Sequence, residues 1–206
     1  MANLLALHKI LTGDEMWVYC FEPQRKQEWI GENDPWLAKV VKTRSCGKQM
    51  AVVFFTSKGL VKIILLEPKQ NVTAKWYSDE CLDQVFETIK KQRRLKGLSH
   101  IWLHYDNASP HTANYTKNYY IEGTECNLLD HSPHSPDLGP ADFFLFREVK
   151  NRMRGIQCRI KQDAVTAFSE IIESLTPEDW QNCFQDWFVR YNRCSTSKEN
   201  IQKEGF

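Results

Sequence analysis

Three aspartates stand where carboxylates can act together: Asp14 just ahead of a β-prone aromatic run, Asp106 directly after the apolar stretch 99–105, and Asp142 two residues past Pro140. Functional groups concentrate at such edges, where a rigid scaffold hands over to a loop. Carboxylates that converge without bases to neutralise them repel one another, so such a cluster persists by holding divalent cations through oxygen. Two ions about 4 Å apart activate a nucleophilic oxygen and stabilise the leaving oxygen in phosphodiester chemistry. On spacing alone the same residues also read structurally. Asp14 suits a turn, Asp106-Asn107 suits a turn, and Asp142 suits the first turn of a helix, where an acid satisfies orphan amides.

The elements that must position these acids follow from the hydrophobic pattern. Residues 14–21 form a first strand, with Asp14 at its start, and the charged stretch PQRKQEW with turn signals from Gly31 to Pro35 is a loop. Met50 to Phe55 and Leu60 to Leu66 form two more strands, joined through TSKG as a hairpin. Trp76, Leu82, Val85, Phe86 and Ile89 share one helical face, and Gly97 stops that helix. A strand 99–105, a helix 112–121 closed by Gly123, and a short strand 126–129 complete a βββαβαβ order. In such a sheet the first and fourth strands can be neighbours, which sets Asp14 facing Asp106, and a helix packed on the sheet can deliver Asp142.

The last third reads as helices over 141–153 and 161–175, and a third from Thr176, an N-cap followed by proline and two acids. Trp180, Phe184, Trp187 and Tyr191 supply the apolar stripe of this last helix, and Trp17, Trp76 and Trp102 also read as core. We expect one domain over 1–206.

Composition narrows the function classes. Lys and Arg total 27 against 26 Asp and Glu, a formal charge of +1, so nucleic-acid binding would have to rest on local basic patches and bound metal. One such patch is Lys90, Lys91, Arg93, Arg94 and Lys96, which suits DNA phosphates, a nuclear signal or a solvated helix end. The seven cysteines are scattered and form no C-x-x-C pair, which suits reduced thiols rather than a zinc site. His104, His111, His131 and His134 flank the acidic motifs without a convincing zinc ligand set, and His111 is placed to orient a phosphate or a neighbouring ligand. No apolar run approaches the roughly 20 residues of a bilayer span, so a soluble, non-secreted protein is expected.

Three blocks sharpen this reading: TGDEMWV at 12–18, HYDNASPH at 104–111 and HSPHSPDLGPADFFLF at 131–146. In order and separation they resemble the catalytic blocks of mariner-type DNA transposases, and the likeness continues through PQRKQEW, the two following strands and WFVRYNRC. The resemblance implies an RNase H-like mixed sheet flanked by helices, with Asp14, Asp106 and Asp142 as a triad holding two Mg²⁺ or Mn²⁺. It implies DNA cleavage and strand transfer at transposon ends and target DNA, and a homodimer with contacts around 23–35. Asp137 competes for the third place, but in the family it belongs to the loop, and the acid two positions after the second proline binds metal.

The chain departs from the family by about one extra residue between Asp106 and Asp142, which we place between His111 and Gly123, and by His134 in place of a tyrosine. The paired helix-turn-helix modules with which such transposases recognise their ends are not among these residues, which suits a catalytic fragment or a truncated relic. Two other functions share the fold: a catalytically silent transposon-derived module for DNA binding or dimerisation, and a host nuclease acting on RNA–DNA hybrids.

Overall fold

The computed structural model describes residues 4–20, 47–68, 70–93, 98–123, 126–129, 131–133, 135–156, 158 and 160–203. The segment 21–46, with the expected dimer loop, lies outside the described residues, as do Arg94, Lys96 and His134.

After a 3₁₀ segment, Leu4–Lys9, the chain enters β1 (Ile10–Tyr19), then β2 (Lys48–Thr56) and β3 (Gly59–Leu65). Asp14 therefore sits in the middle of a ten-residue strand and not at its start, because Ile10, Leu11 and Thr12 already pair with the fourth strand. The β2–β3 hairpin turns through Ser57 and Lys58, with Thr56 opposite Gly59 and Gly59 at φ +135°, a conformation that favours glycine. β4 (Trp102–His104) and β5 (Asn127–Leu129) complete a five-stranded sheet in the order β3-β2-β1-β4-β5. β1 pairs antiparallel with β2 and parallel with β4, and β4 parallel with β5, the mixed sheet expected from the sequence.

β4 is shorter than the expected 99–105. A turn consumes its beginning, where the Ile101 amide donates to the Leu98 carbonyl at 3.0 Å and His100 adopts φ 64°. Helix α1 (residues 74–92) runs through Ala74–Trp76, a π segment Tyr77–Leu82 and Asp83–Gln92. The helix expected over 112–121 begins earlier and is interrupted at Ala113, giving α2 (Ser109–Thr112) and α3 (Asn114–Gly123). The break falls where the extra residue was placed. α4 (residues 141–153) joins a π segment, Ala141–Phe146, to Arg147–Met153. α5 (Lys161–Glu173) and α6 (Pro177–Lys203) follow. α6 starts as its sequence dictates: the Asp179 amide donates to Thr176 Oγ1 at 3.2 Å, and the Thr176 amide donates to Asp179 Oδ2 at 2.9 Å, a reciprocal cap.

Strand alternation divides the core between the two faces of the sheet. Leu11, Val52, Phe54 and Leu103 pack with Tyr77, Leu82, Phe86 and Ile89 of α1. Met16, Val18, Val53 and Phe55 pack on the other face with Leu145, Val149, Phe168, Phe184 and Trp187 of α4 to α6. β2 is buried on both faces and accordingly reads as the unbroken apolar run Ala51 to Phe55. Full burial of each phenylalanine there contributes about 1.5–3 kcal/mol before the entropy of ordering is subtracted. Trp76, Trp180 and Trp187 are core as expected. Trp17, Trp102 and Tyr191 are not: each is more than a third exposed, and Trp17 instead lies under Lys48 Nζ at 3.7 Å from its ring centre. Residue type and period mark a candidate inward face but do not fix how far each side chain is covered.

Candidate active site

The three aspartates reach one cleft from three elements. Thr12, Gly13 and Asp14 of β1, His104 and Asp106 at the end of β4, His131 beyond β5, and Gly139, Ala141 and Asp142 at the start of α4 line an open cavity of about 250 Å³. Register explains the convergence. Thr12 pairs with His104 across the parallel β1–β4 ladder, so Asp14 and Asp106, each two residues on, rise on the same face past that pair. α4 packs against that face, and its first turn brings Asp142 alongside. Asp137 does not line the cleft: it lies in a 3₁₀ turn, Pro136–Leu138, and its carbonyl accepts from Arg190 Nη1 at 3.3 Å.

Close approach imposes one glycine of the site and crowds the other. A Cβ on Gly13 would land inside the Phe54 ring on the opposite face. A Cβ on Gly139 would stand 3.1 Å from Asp142 Oδ2. The Thr-Gly-Asp and Leu-Gly-Pro sequences are thus packing statements as well as motif letters.

Charge is unevenly balanced across the cleft. Burial, with Glu15, Asp142 and Asp106 adding repulsion, pushes the Asp14 carboxyl up to about 8 despite a 2.7 Å hydrogen bond from the Glu15 amide to its Oδ1. Burial and Asp106 also raise Asp142, with His131 and Lys150 opposing. Asp106 moves the other way. Burial would raise it, but hydrogen bonds from His111 at 2.5 Å and from the Ala108 amide at 2.9 Å hold its carboxyl below the ordinary range. His111 is pushed up to about 9, its burial outweighed by Asp106 and Glu15.

A second set of side chains lines the floor. Thr12 Oγ1 lies 3.0 Å from His104 Nδ1, and His104 Nε2 lies 3.0 Å from His131 Nδ1. Burial, helped by His131 and opposed by Asp106, pushes His104 down to about 3, so it is a neutral spacer between the strands. Trp187 of α6 packs on His104 with ring centres 5.0 Å apart, and its indole N–H donates to the Leu138 carbonyl at 2.7 Å, securing the loop that leads to Asp142. Sequence reasoning named the histidines but missed Glu15, Thr12 and the supporting role of Trp187. Strand alternation was a usable signal for Glu15, since the residue after Asp14 must face the other side of the sheet.

All the acids of the cleft are oxygen donors, which suits hard divalent cations, and Asp14 and Asp142 are raised first by burial and then by neighbouring acids, a cost to their charged forms that a cation would offset. Among the described residues no three His, Cys, Asp or Glu side chains already form a metal-holding group. Asp14, Asp106 and Asp142 therefore suit such ions in donor chemistry, and all three line the one cleft.

Comparison with known proteins gives this arrangement its context. A family model described as "Transposase (partial DDE domain)" matches residues 19–98, a stretch between Asp14 and Asp106 that holds none of the three acids. The Mariner Mos1 transposase of Drosophila mauritiana is 30% identical over 145 residues, covering 69% of this chain and 41% of that protein. Over most of its own length the chain is thus similar to a mariner-type transposase. The histone-lysine N-methyltransferase SETMAR of Homo sapiens is 27% identical over 190 residues, 91% of this chain and 27% of that protein. The chain thus spans less than half the length of either curated relative. The Mos1 transposase paired-end complex with left transposon end matches with a TM-score of 0.80 at 24% identity, over 93% of this chain and 55% of that one. The Mos1 paired-end complex with Mg matches with a TM-score of 0.80 at 23% identity, over 93% and 56%. These likenesses establish the mariner-type catalytic fold, an RNase H-like mixed sheet between helices.

Proposed function

We propose that this chain is a single catalytic domain that cuts DNA at transposon ends and joins the freed 3′ end to target DNA, with Asp14, Asp106 and Asp142 holding two Mg²⁺ or Mn²⁺. The observation that carries the reading is the convergence of three carboxylates from β1, β4 and α4 on one cleft. Mos1, a relative, has been solved as a paired-end complex with Mg. When bound, the ions would supply activation of the attacking oxygen and stabilisation of the leaving oxygen. The residues of the chain do the rest. Asp106 is held ionised and oriented by His111 and the Ala108 amide. Asp14 and Asp142 present oxygen donors whose charged forms burial and neighbouring acids disfavour until a counter-charge is present. The neutral His104 keeps β1 and the His131 loop at a fixed separation. Partners on this reading are transposon-end and target DNA and a second copy of the chain, and the compartment is the nucleus.

The test is strand cleavage and strand transfer with Mg²⁺ or Mn²⁺ on intact and pre-nicked DNA, comparing the chain with Asp106→Ala. Activity lost in the variant supports the triad. Equal activity in the two sinks it. A folded chain that binds metal but turns over no DNA supports instead a catalytically silent module for DNA binding or dimerisation.

A further inference from the structure

His111 lies outside the triad, yet it is 1% exposed and bridges two acids. Its Nδ1 stands 2.5 Å from Asp106 Oδ1 and its Nε2 stands 3.2 Å from Glu15 Oε1. Carboxylates accept and do not donate, so both contacts are made when both ring nitrogens carry hydrogen. The Tyr77 ring, 4.2 Å away between centres, walls the imidazole in, so it has little room to turn. Asp106 Oδ1 also accepts from the Ala108 amide at 2.9 Å. One oxygen of this carboxylate is therefore gripped from behind by two donors, which fixes how the group faces the cleft. Glu15 belongs to β1 and Asp106 follows β4, so the bridge also ties together the two strands that carry Asp14 and Asp106.

We propose that His111, backed by Glu15, is a positioning residue for metal binding: it aims Asp106 and sets the spacing of the Asp14–Asp106 pair without touching the ion. The proposal rests on the reading of Asp14, Asp106 and Asp142 as metal ligands. Groups of this kind behind a ligand are worth roughly 10–100-fold in metal affinity. The two amide substitutions separate the two nitrogens. In His111→Asn the amide nitrogen stands near the place of Nδ1 and can still donate to Asp106; in His111→Gln it stands near Nε2 and reaches Glu15 instead.

The experiment is titration of the full chain with Mn²⁺ alone, free ion being followed by electron paramagnetic resonance, with a thermal melt of each variant. The expected result is an affinity loss of roughly 10–100-fold for His111→Gln, most of it recovered in His111→Asn. Glu15→Gln, which keeps an acceptor, holds near wild-type affinity, and Glu15→Ala does not. Equal affinities for the two His111 variants, or for the two Glu15 variants where the His111 variants fail to fold, overturn the proposal. Wild-type Mn²⁺ binding that survives Asp106→Ala overturns the metal-site reading itself, a distinct outcome.

Discussion

Asp14 and Glu15 are adjacent in β1 and face opposite sides of the sheet, and their surroundings differ in one respect that matters. On the Glu15 side the protein supplies its own cation: His111 sits between Glu15 and Asp106 and answers both. Among the described residues Asp14 has no such partner: burial first, then repulsion from Glu15, Asp142 and Asp106, pushes its carboxyl up to about 8. The first arrangement is complete within the fold. The second is stable in its charged form once an external cation enters. The difference teaches that the acids of one motif are not equivalent: Glu15 serves architecture, and Asp14 serves whatever binds in the cleft.

The comparison breaks most visibly at Asp14 itself. Asp14→Asn should cut strand cleavage by about a thousandfold or more, as loss of an essential group does, while the metal-free protein gains stability. The sign follows from linkage. A carboxyl raised from its ordinary value near 3.8 to about 8 contributes stability that is full below pH ~4 and is lost as pH rises through 8. In EDTA the wild-type melting temperature should therefore fall between pH 5 and pH 8 more than that of Asp14→Asn, by at least roughly 2–4 °C. Parallel slopes for the two proteins in a melt series would contradict the electrostatic account.

Gly13 tests how tightly the two sides are coupled through the strand. Gly13→Ala drives a methyl group into the Phe54 ring and should cost about 1–3 kcal/mol, read by urea denaturation. Phe54→Leu in the same chain should recover part of it. Additive losses would show that the ring is not the obstacle. A change on the cleft side alone is Trp187→Phe, which strips the Leu138 carbonyl of its indole donor and should cost about 1–2 kcal/mol, with cleavage falling as the Asp142 loop loosens. Unchanged cleavage in a folded Trp187→Phe protein would separate that bond from the site. The smallest effect belongs to Arg152→Ala, which removes a surface pair with Glu148 at 2.7 Å and should stay within about 0.5 kcal/mol with activity intact.

Much of this was legible in the residues. β2 announces itself by a continuous apolar run and β3 by one broken only at Lys62, with a glycine turn between them, and the cap of α6 by Thr176, Pro177 and Asp179. The placement of Asp14 beside Asp106 followed from the strand order, and Asp142 rather than Asp137 lines the cleft. Other features depend on contacts that no local pattern carries. β4 loses its first residues to a turn at Leu98 because backbone hydrogen bonding, not hydrophobicity, sets where pairing begins. The π segments of α1 and α4 keep the residue types of ordinary helices, so periodicity does not reveal them. Trp17 and Trp102 look like core by type but stay more than a third exposed. The His111 bridge spans 96 residues to Glu15, beyond any spacing rule.

The alternation of β1 has a consequence for how such a chain tolerates insertion and deletion. One residue gained or lost between the start of the strand and Asp14 would exchange the occupants of its two faces, turning Asp14 toward Tyr77 and Glu15 toward the cleft. Both acids would still be present, and every letter of the motif would survive, yet each would meet the environment built for the other. Between Asp106 and β5 the chain passes through α2, the break at Ala113 and α3, where no strand register is at stake. Length drift across a lineage is therefore expected to collect in 111–123 and to be purged from 10–15. Alignments that allow gaps evenly across the two stretches will misjudge which descendants can still work.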